Sequence, residues 1–319
     1  MRKDERSVYF YDAKSTAWTR KLGGDLLGFP HFVLATTLKE LADTGAATIS
    51  NSRGHSWNIQ DINVHNNRCE MLVNYVDPDA ADPTLADPIK KRRRQVTKNE
   101  DEGLEHSAHI LWKYGTKANN SPCTFLVEAA TGLGSTRITK VLCALLRDAS
   151  KGSDIYTMDD PEGTRTASGA FKKIPVRPLI ELSGHPSNEF LEDLKRGQLQ
   201  EVELYTLRQH GVSWDSSGAA KIDRSSVRIK ADPAKVTQKA FSLLKTITSG
   251  HTNDYEFARV KFKSESDLDH SVNVHSSSFN LVNEDKYVKK ERITEIGDNL
   301  PTAFSAINVV IMSKIRSLA

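Results

Sequence analysis

The sequence predicts an α+β fold made of two units, each combining antiparallel strands with helices. Short stretches in which apolar and polar residues alternate recur along the chain, and this pattern is typical of half-buried strands. Between them lie segments of helical period, bounded by residues that begin and end helices. The 319 residues are enough for two cores of ordinary size, and 38% apolar with 27% charged residues is typical of a globular protein.

The first part of the chain predicts a strand, a helix and a small sheet. "SVYFYDA" (7–13) alternates as an opening strand. "HFVLATTLKELADTG" (31–45) predicts a helix that ends at Gly45 and has three leucines on one face, Leu34, Leu38 and Leu41. Residues 47–77 alternate in pieces broken at Arg53-Gly54 and at Asn66-Asn67, which predicts an antiparallel sheet.

Residues 77–103 interrupt these patterns. Asp-Pro occurs three times, at positions 77, 82 and 87, and proline lacks a backbone donor and biases the residue before it away from helix. The segment therefore predicts a long flexible loop. It carries the densest positive charge of the chain, which consists of Lys90, Lys91, Arg92, Arg93 and Arg94 with Lys98 nearby. Such a run is either a solvated loop or an arm that contacts phosphates, and the sequence does not decide between them.

"EAATGLGSTRITKVLCALLR" (128–147) has the outline of a phosphate-binding loop but lacks its residues. A P-loop requires Gly-x-x-x-x-Gly-Lys-Ser/Thr, whereas here Gly132 and Gly134 are two apart and the next lysine is Lys140. The stretch instead predicts a strand, a turn and a helix capped by Ser135 or Thr136. The apolar stripe of this helix comprises Ile138, Val141, Leu142, Leu145 and Leu146, and Arg137, Lys140 and Arg147 lie on another face.

The second half predicts further strands and helices in alternation. Strands are expected in "KKIPVRPLIEL", "QLQEVELYTLRQ", "RSSVRIK", "YEFARVKFK" and "HSVNVHSSSFNLV". Helices are expected in "PSNEFLEDLKRG", capped near Ser187 or Asn188, in "DPAKVTQKAFSLLKTITSG", capped by Asp232, and in the closing "PTAFSAINVVIMSKIRSL". The predicted domains are residues 1–76 with 104–150, and residues 170–319, with the join between Ala149 and Lys173.

Positive charge is concentrated in the second half. Residues 217–263 hold ten Lys or Arg against four Asp or Glu, whereas residues 264–300 hold four against eight. Such segregation favours a basic face that binds nucleic acid. The side chains expected to contact DNA are Lys90, Lys91, Arg92, Arg93, Arg94, Arg137, Lys140, Arg224, Arg228, Lys230, Lys235, Lys239 and Lys261, with Arg259 and Lys263 on the same strand as Lys261.

A metal-dependent nuclease is the alternative that the sequence leaves open. Five residues that could bind a metal lie within eleven positions: Glu265, Asp267, Asp269, His270 and His275. Their spacing also fits a polar hairpin tip, and the common hydrolase motifs are absent. His106 and His109 are interpreted as structural. The prediction is therefore a protein with no catalytic residue, no cofactor and no metal site.

The three cysteines are too few and too widely spaced for a disulfide framework or a Cys-x-x-Cys metal site. No run of about 20 apolar residues is present, and the charged start "MRKDERSVYFYDA" does not fit a signal peptide. These observations predict a cytoplasmic protein without membrane insertion.

The chain contains, in this order, "VYFYDA", a variable polar loop, "CTFLVEAATGLGSTRITKVLCALLR", "IPVRPLIEL", "VRIKADPAKVTQKAFSLLK" and the pair "ARVKFK" and "HSVNVHSSSFNLV". This order of segments resembles that of the RexA-like phage-exclusion proteins. That group is related in architecture to the ring-forming recombination-associated RdgC proteins. The resemblance covers most of the chain and consists of pattern and order, so no functional residue is transferred. It implies a homodimer that binds double-stranded DNA largely without sequence preference, in phage exclusion or recombination control.

The sequence thus predicts a non-enzymatic double-stranded DNA-binding homodimer of a phage-defence setting. The alternatives are the metal-dependent nuclease and a protein-interaction subunit whose basic loop binds an acidic partner within a defence complex.

Overall fold

A computed structural model describes residues 4–115, 121, 123–196, 198–207, 213, 216–217, 219–220, 222, 225–231, 240–252, 254–263, 268–282, 286–297 and 299–319. Over these residues the chain has the predicted α+β fold, with five helices and a large antiparallel sheet. It divides into two compact units. Unit 1 comprises residues 1–8, 13–181 and 291–319, and unit 2 comprises residues 9–12 and 182–290.

The strands are β1 Arg6–Thr19, β2 Gly23–Leu27, β3 Thr48–Ser50, β4 Ser56–His65, β5 Arg68–Asp77, β6 Thr84–Asp87, β7 Arg92–Gln95, β8 Leu104–Lys113, β9 Cys123–Glu128, β10 Thr157–Asp159, β11 Lys173–Pro175, β12 Arg177–Gly184, β13 Gln198–Thr206, β14 Ser225–Lys230, β15 Phe257–Lys263, β16 Asp269–His275, β17 Leu281–Val282 and β18 Lys290–Ile293. The helices are α1 His31–Asp43, α2 Ser135–Ala149, α3 Asn188–Arg196, α4 Ala240–Ser249 and α5 Val309–Ser317.

In unit 1 the neighbouring strands are β1, β9, β8, β5, β4 and β3, in that order. The pairs from β9 to β3 are antiparallel, and β4 and β5 meet at the predicted turn at Asn66-Asn67. Side chains alternate between the two faces of a strand, so register decides which residues meet. Trp57 lies directly opposite Tyr75, and Leu72 lies opposite His109.

Helices cover both faces of this sheet. His31, the first residue of α1, contacts Trp112 of β8 edge-on at 5.3 Å. His109 of the same strand accepts a hydrogen bond through Nε2 from the backbone of Asn308, which caps α5. Positions 109 and 112 point to opposite faces of β8, so α1 and α5 lie on opposite sides of the sheet.

Helix α2 has the predicted apolar stripe, and all five of its residues are buried. The predicted cap was wrong: Gly134 is the N-cap, and no side chain of the described residues caps the helix. Helix α1 has the predicted bounds and ends before Gly45, whose φ of +72° only glycine adopts readily. The cap predicted near Ser187 is confirmed, because its hydroxyl accepts a hydrogen bond from the backbone of Phe190 in α3.

A buried cluster of polar side chains holds the C-terminal segment in unit 1. Glu128 receives the Arg6 guanidinium at 2.8 Å and the Nδ1–H of His109 at 2.6 Å, and all three side chains are buried. Arg6 also donates to the carbonyl of Pro301. Asn308 then begins α5 by accepting hydrogen bonds from two helical N–H groups. The closing helix is therefore shorter than predicted.

In unit 2 the strands run in the order β14, β13, β15, β16, β17 and β12, with antiparallel neighbours. One face carries the buried apolar residues, such as Val202, Val260 and Phe262. Phe190 of α3 packs on Phe262 at 5.9 Å, and α3 and α4 both contact β13. The apolar alternation of these strands thus positions their charged residues on the opposite face.

Unit boundaries differ from the predicted domains. The chain passes from unit 1 to unit 2 at residues 181–182, after the predicted join, and residues 291–319 belong to unit 1. The stretch in which the join was predicted, between Ala149 and Lys173, contains strand β10, which pairs with β11. Pairing between residues far apart in the sequence sets these unit boundaries, and no local sequence pattern indicates such pairing.

Candidate nucleic-acid interface

The run of five cations lies on a two-stranded hairpin, which we call the basic arm (residues 84–95). Strand β6 pairs with β7 from Thr84 opposite Gln95 to Asp87 opposite Arg92. The sequence predicted a long flexible loop here, and the hairpin was not expected. Proline at position 88 falls between the two strands, where its missing N–H costs no ladder hydrogen bond.

The turn of the basic arm is formed by a carboxylate that accepts two backbone hydrogen bonds. Asp87 Oδ1 receives the N–H groups of Ile89 and Lys90, each at 3.0 Å, and Lys91 follows with φ of +51°. An aspartate that bonds to the backbone two and three residues later stabilises a tight turn. The Asp-Pro that predicted irregular structure therefore organises the tip of the arm.

All five cations of the basic arm are exposed. Lys90 and Lys91 lie in the turn and Arg92 to Arg94 in β7, where alternation places Arg93 on the side opposite its two neighbours. Within the described residues, none of the five forms a salt bridge with an acidic side chain. Ile89, beside them, is 90% exposed.

Lys98 has a different role from the run that precedes it. Its ammonium donates to the backbone carbonyls of Pro78 and Ala80, and its backbone N–H donates to Asp82. These bonds join the two ends of the segment that carries the basic arm. Lys98 is therefore a structural residue at the base of the arm.

Arg137 and Lys140 both lie exposed in the first turns of α2. The Arg137 guanidinium lies 4.5 Å from the ring centroid of Trp57. A pocket of about 300 Å³ opens here, which we call the Arg137 pocket; its lining includes Arg53, His55, Trp57 and Tyr75 besides Arg137. No sequence pattern indicated this pocket, because its residues come from three separate segments.

Several cations on the outer face of unit 2 are paired with acids. Strand β13 lies between β14 and β15, and its Glu201 is 3.5 Å from Arg228 and 3.0 Å from Lys261. A hydrogen bond from Lys261 lowers the pKa of Glu201. Glu203 is 3.5 Å from Arg259 on the same face. The positive excess counted along residues 217–263 is thus reduced in part by two acids from an earlier strand.

Strand β14 also differs from the expected half-buried strand. Arg228 and Lys230 are exposed as predicted, but Val227 is exposed too and Ile229 is only half-buried. Three further residues expected to contact DNA, Arg224, Lys235 and Lys239, lie outside the described residues, as does the predicted N-cap Asp232.

Among the described residues, the acids and histidines of the suggested nuclease site do not converge. Asp269 and His270 point to opposite faces of β16, and Asp269 accepts a hydrogen bond from Gln200. His270 packs 5.4 Å from Phe262, and His275 packs 5.0 Å from Phe257. No group of three metal-binding side chains occurs within the described part of the chain, and Glu265 and Asp267 fall outside it.

His109 is buried and structural, since both of its ring nitrogens are used within the protein. The acceptor role of Nε2 towards Asn308 places the proton on Nδ1, where it is donated to Glu128. Neither residue is reachable from solvent, so this histidine–carboxylate pair serves the fold.

Comparison of the chain with protein-family models, with curated proteins and with solved structures found no match. The resemblance to the RexA-like proteins therefore rests on the residue pattern alone. Within the described residues, no helix has the length and apolar character needed to cross a bilayer.

Proposed function

We propose that this protein binds double-stranded DNA without sequence preference and that the basic arm is its principal contact. The observation that carries the proposal is the set of five exposed cations, Lys90 to Arg94, which have no acidic partner among the described residues. Lysine and arginine contacts to phosphates release counterions and supply most of the affinity of non-specific binding.

The shape of the basic arm suits this role. A two-stranded ribbon fits the major groove of B-DNA, and ribbons also enter the minor groove. Alternation along β7 directs arginines to both sides of the ribbon, which suits phosphates on the two walls of a groove. Proteins that bend DNA often insert an apolar side chain between base steps, and Ile89 at the tip has the exposure such a contact requires.

The outer face of unit 2 supports the proposal less than the sequence suggested. Its cations Arg228, Arg259 and Lys261 have carboxylates within 3.5 Å, so a phosphate would compete with an existing partner. The basic arm has no such competition among the described residues. We therefore assign the main DNA contact to unit 1.

A salt titration of binding to a random-sequence duplex tests the proposal. The test variant replaces Lys90, Lys91, Arg92, Arg93 and Arg94 by glutamine. The negative slope of log K against log salt should become less steep by roughly 0.9 for each phosphate that the variant no longer neutralises. The control replaces Arg228, Lys230 and Lys261 by glutamine, and we expect its affinity to fall much less because two of these three cations are paired with Glu201.

Circular dichroism and the urea midpoint establish that both variants remain folded. An unchanged slope in the arm variant would contradict the role of the arm. Absence of binding by the wild type at low salt would contradict DNA binding itself and leave an acidic protein partner as the target of the arm. Magnesium-dependent cutting of the duplex would instead favour the nuclease.

The homodimer and the role in phage exclusion belong to this proposal through the resemblance alone. Light scattering of the purified protein tests the dimer. Phage plating on cells that express the wild type or the arm variant tests the role, and a loss of protection in the arm variant would link protection to DNA binding. Protection kept by the arm variant would point to a second defence protein as the functional partner.

A further inference from the structure

The Arg137 pocket is formed by residues of the paired strands β4 and β5, of the loop before β4 and of the first turn of helix α2. Trp57 and Tyr75 are directly opposite on β4 and β5, and their rings stack at 5.0 Å with an angle of 11°. His55 stacks on Tyr75 at 5.9 Å and contacts its hydroxyl at 2.8 Å. Asn51 fixes the loop that carries Arg53, because its side chain accepts the N–H groups of Arg53 and His55.

The cations of this pocket are available to a ligand. Among the described residues, neither Arg53 nor Arg137 pairs with an acid, and no carboxylate lines the pocket. Asp77 and Asp79 are nearby but engage His55, at 3.5 and 3.0 Å. Stacking on Trp57 restricts the Arg137 guanidinium while leaving its N–H donors in the plane of the group.

A helix start three residues before Arg137 also favours an anion near the pocket. Helix α2 begins at Gly134 with no side-chain cap from the described residues, and a helix start attracts negative charge.

A second pocket, of about 380 Å³, differs because most of its cations have carboxylate partners. Five cations line it, and three of them, Lys21, Arg147 and Lys151, each have a carboxylate within 3.0 Å. Most of the cations that line this second pocket are thus paired within the protein, although Arg20 and Arg177 have no salt bridge among the described residues. The Arg137 pocket has a similar size, but neither of its arginines pairs with an acid within the described part of the chain.

We propose that the Arg137 pocket binds a phosphomonoester, with Arg137 and Arg53 as its two cationic ligands. Arginine matches the geometry of phosphate through paired N–H donors. The volume lies at the lower end of the range for small-molecule sites, which suits a mononucleotide or the phosphorylated end of a nucleic acid strand. This site is separate from the basic arm and does not depend on its function.

Calorimetric titration of the full-length protein with five probes tests the site: inorganic phosphate, a nucleoside 5′-monophosphate, the same nucleoside without phosphate, a short duplex with 5′-phosphates and the same duplex without them. We expect the phosphate-bearing probes to bind and the nucleoside to fail. In the five-residue arm variant, which lacks the proposed duplex contact, tighter binding of the phosphorylated duplex than of the unphosphorylated duplex and the free nucleotide would identify strand ends as the source. Tighter binding of the free nucleotide would identify a free nucleotide.

The variants Arg137→Gln and Arg53→Gln should each weaken phosphate binding at least tenfold, and Arg137→Lys should be intermediate. Lys140→Gln is the matched control, since Lys140 is exposed one turn later in α2 and does not line the pocket. The five-residue arm variant should keep phosphate binding, which separates this site from the proposed function. Unchanged affinity in both arginine variants, or no binding of any phosphate-bearing probe, would overturn the inference.

Discussion

At the scale of single residues, Gly132 shows how the turn before α2 is constrained. Its φ is +74°, and a Cβ atom there would lie 2.2 Å from the ring of Tyr75. The glycine that gives this stretch the outline of a phosphate loop is therefore required for close packing against an aromatic ring. This contact also holds the turn next to the Arg137 pocket.

Replacing Gly132 by alanine should destabilise the protein more than the same change at Gly45. Both glycines have positive φ, which costs an alanine about 1 kcal/mol, but a Cβ at Gly45 meets nothing within 4 Å. At Gly132 the ring of Tyr75 must also move, which adds about 1–3 kcal/mol. Urea unfolding of the two variants measures the difference. Equal destabilisation would show that the Tyr75 ring moves away from the added Cβ atom without loss of stability.

At the scale of elements, the basic arm shows how local chemistry can be misread. Three Asp-Pro pairs led to the prediction of a flexible loop, which was wrong, because Asp87 supplies the turn that lets β6 and β7 pair. The run of cations was visible in the sequence, whereas its presentation on a ribbon depended on backbone hydrogen bonds. The unpredicted part of the element is thus its shape and not its charge.

Ile89→Ala should reduce DNA bending without changing the salt dependence of binding. If Ile89 enters the duplex, its truncation removes the apolar contact while all five cations of the arm remain. Fluorescence energy transfer between the ends of a labelled duplex measures the bend, and a salt titration measures the slope.

Leu85→Ala is the control for this change, because Leu85 is an exposed apolar residue in strand β6 of the same arm, away from its tip. Equal bending by the wild type and Ile89→Ala would show that the tip stays outside the base stack.

At the scale of the whole molecule, buried histidines should make stability depend on pH. Burial lowers the pKa of His31 below its ordinary 6.5, and it lowers the pKa of His106 in the same way. The unfolded chain then binds more protons than the folded one as pH falls below 6.5. Stability should accordingly be greatest above that pH and decline through the range just below it.

His31→Phe should flatten this decline, because the aromatic contacts with Trp112 and Tyr114 can be kept without a titrating group. Urea midpoints between pH 5 and 8 measure the slope. His65→Phe serves as the control, since His65 is exposed at the end of β4. A slope as steep in His31→Phe as in the wild type would assign the pH dependence to other groups.

The sequence by itself determined the α+β class, most strands and helices, and the run from Lys90 to Arg94, because alternation, period and charge are local properties. Only the tertiary structure decided which charges are neutralised and which residues share a site. Glu201 meets Lys261, and Trp57 meets Tyr75 and Arg137, through strand pairing and helix packing between distant segments. Coulombic and stacking contacts depend on distance in space, and no local pattern encodes that distance.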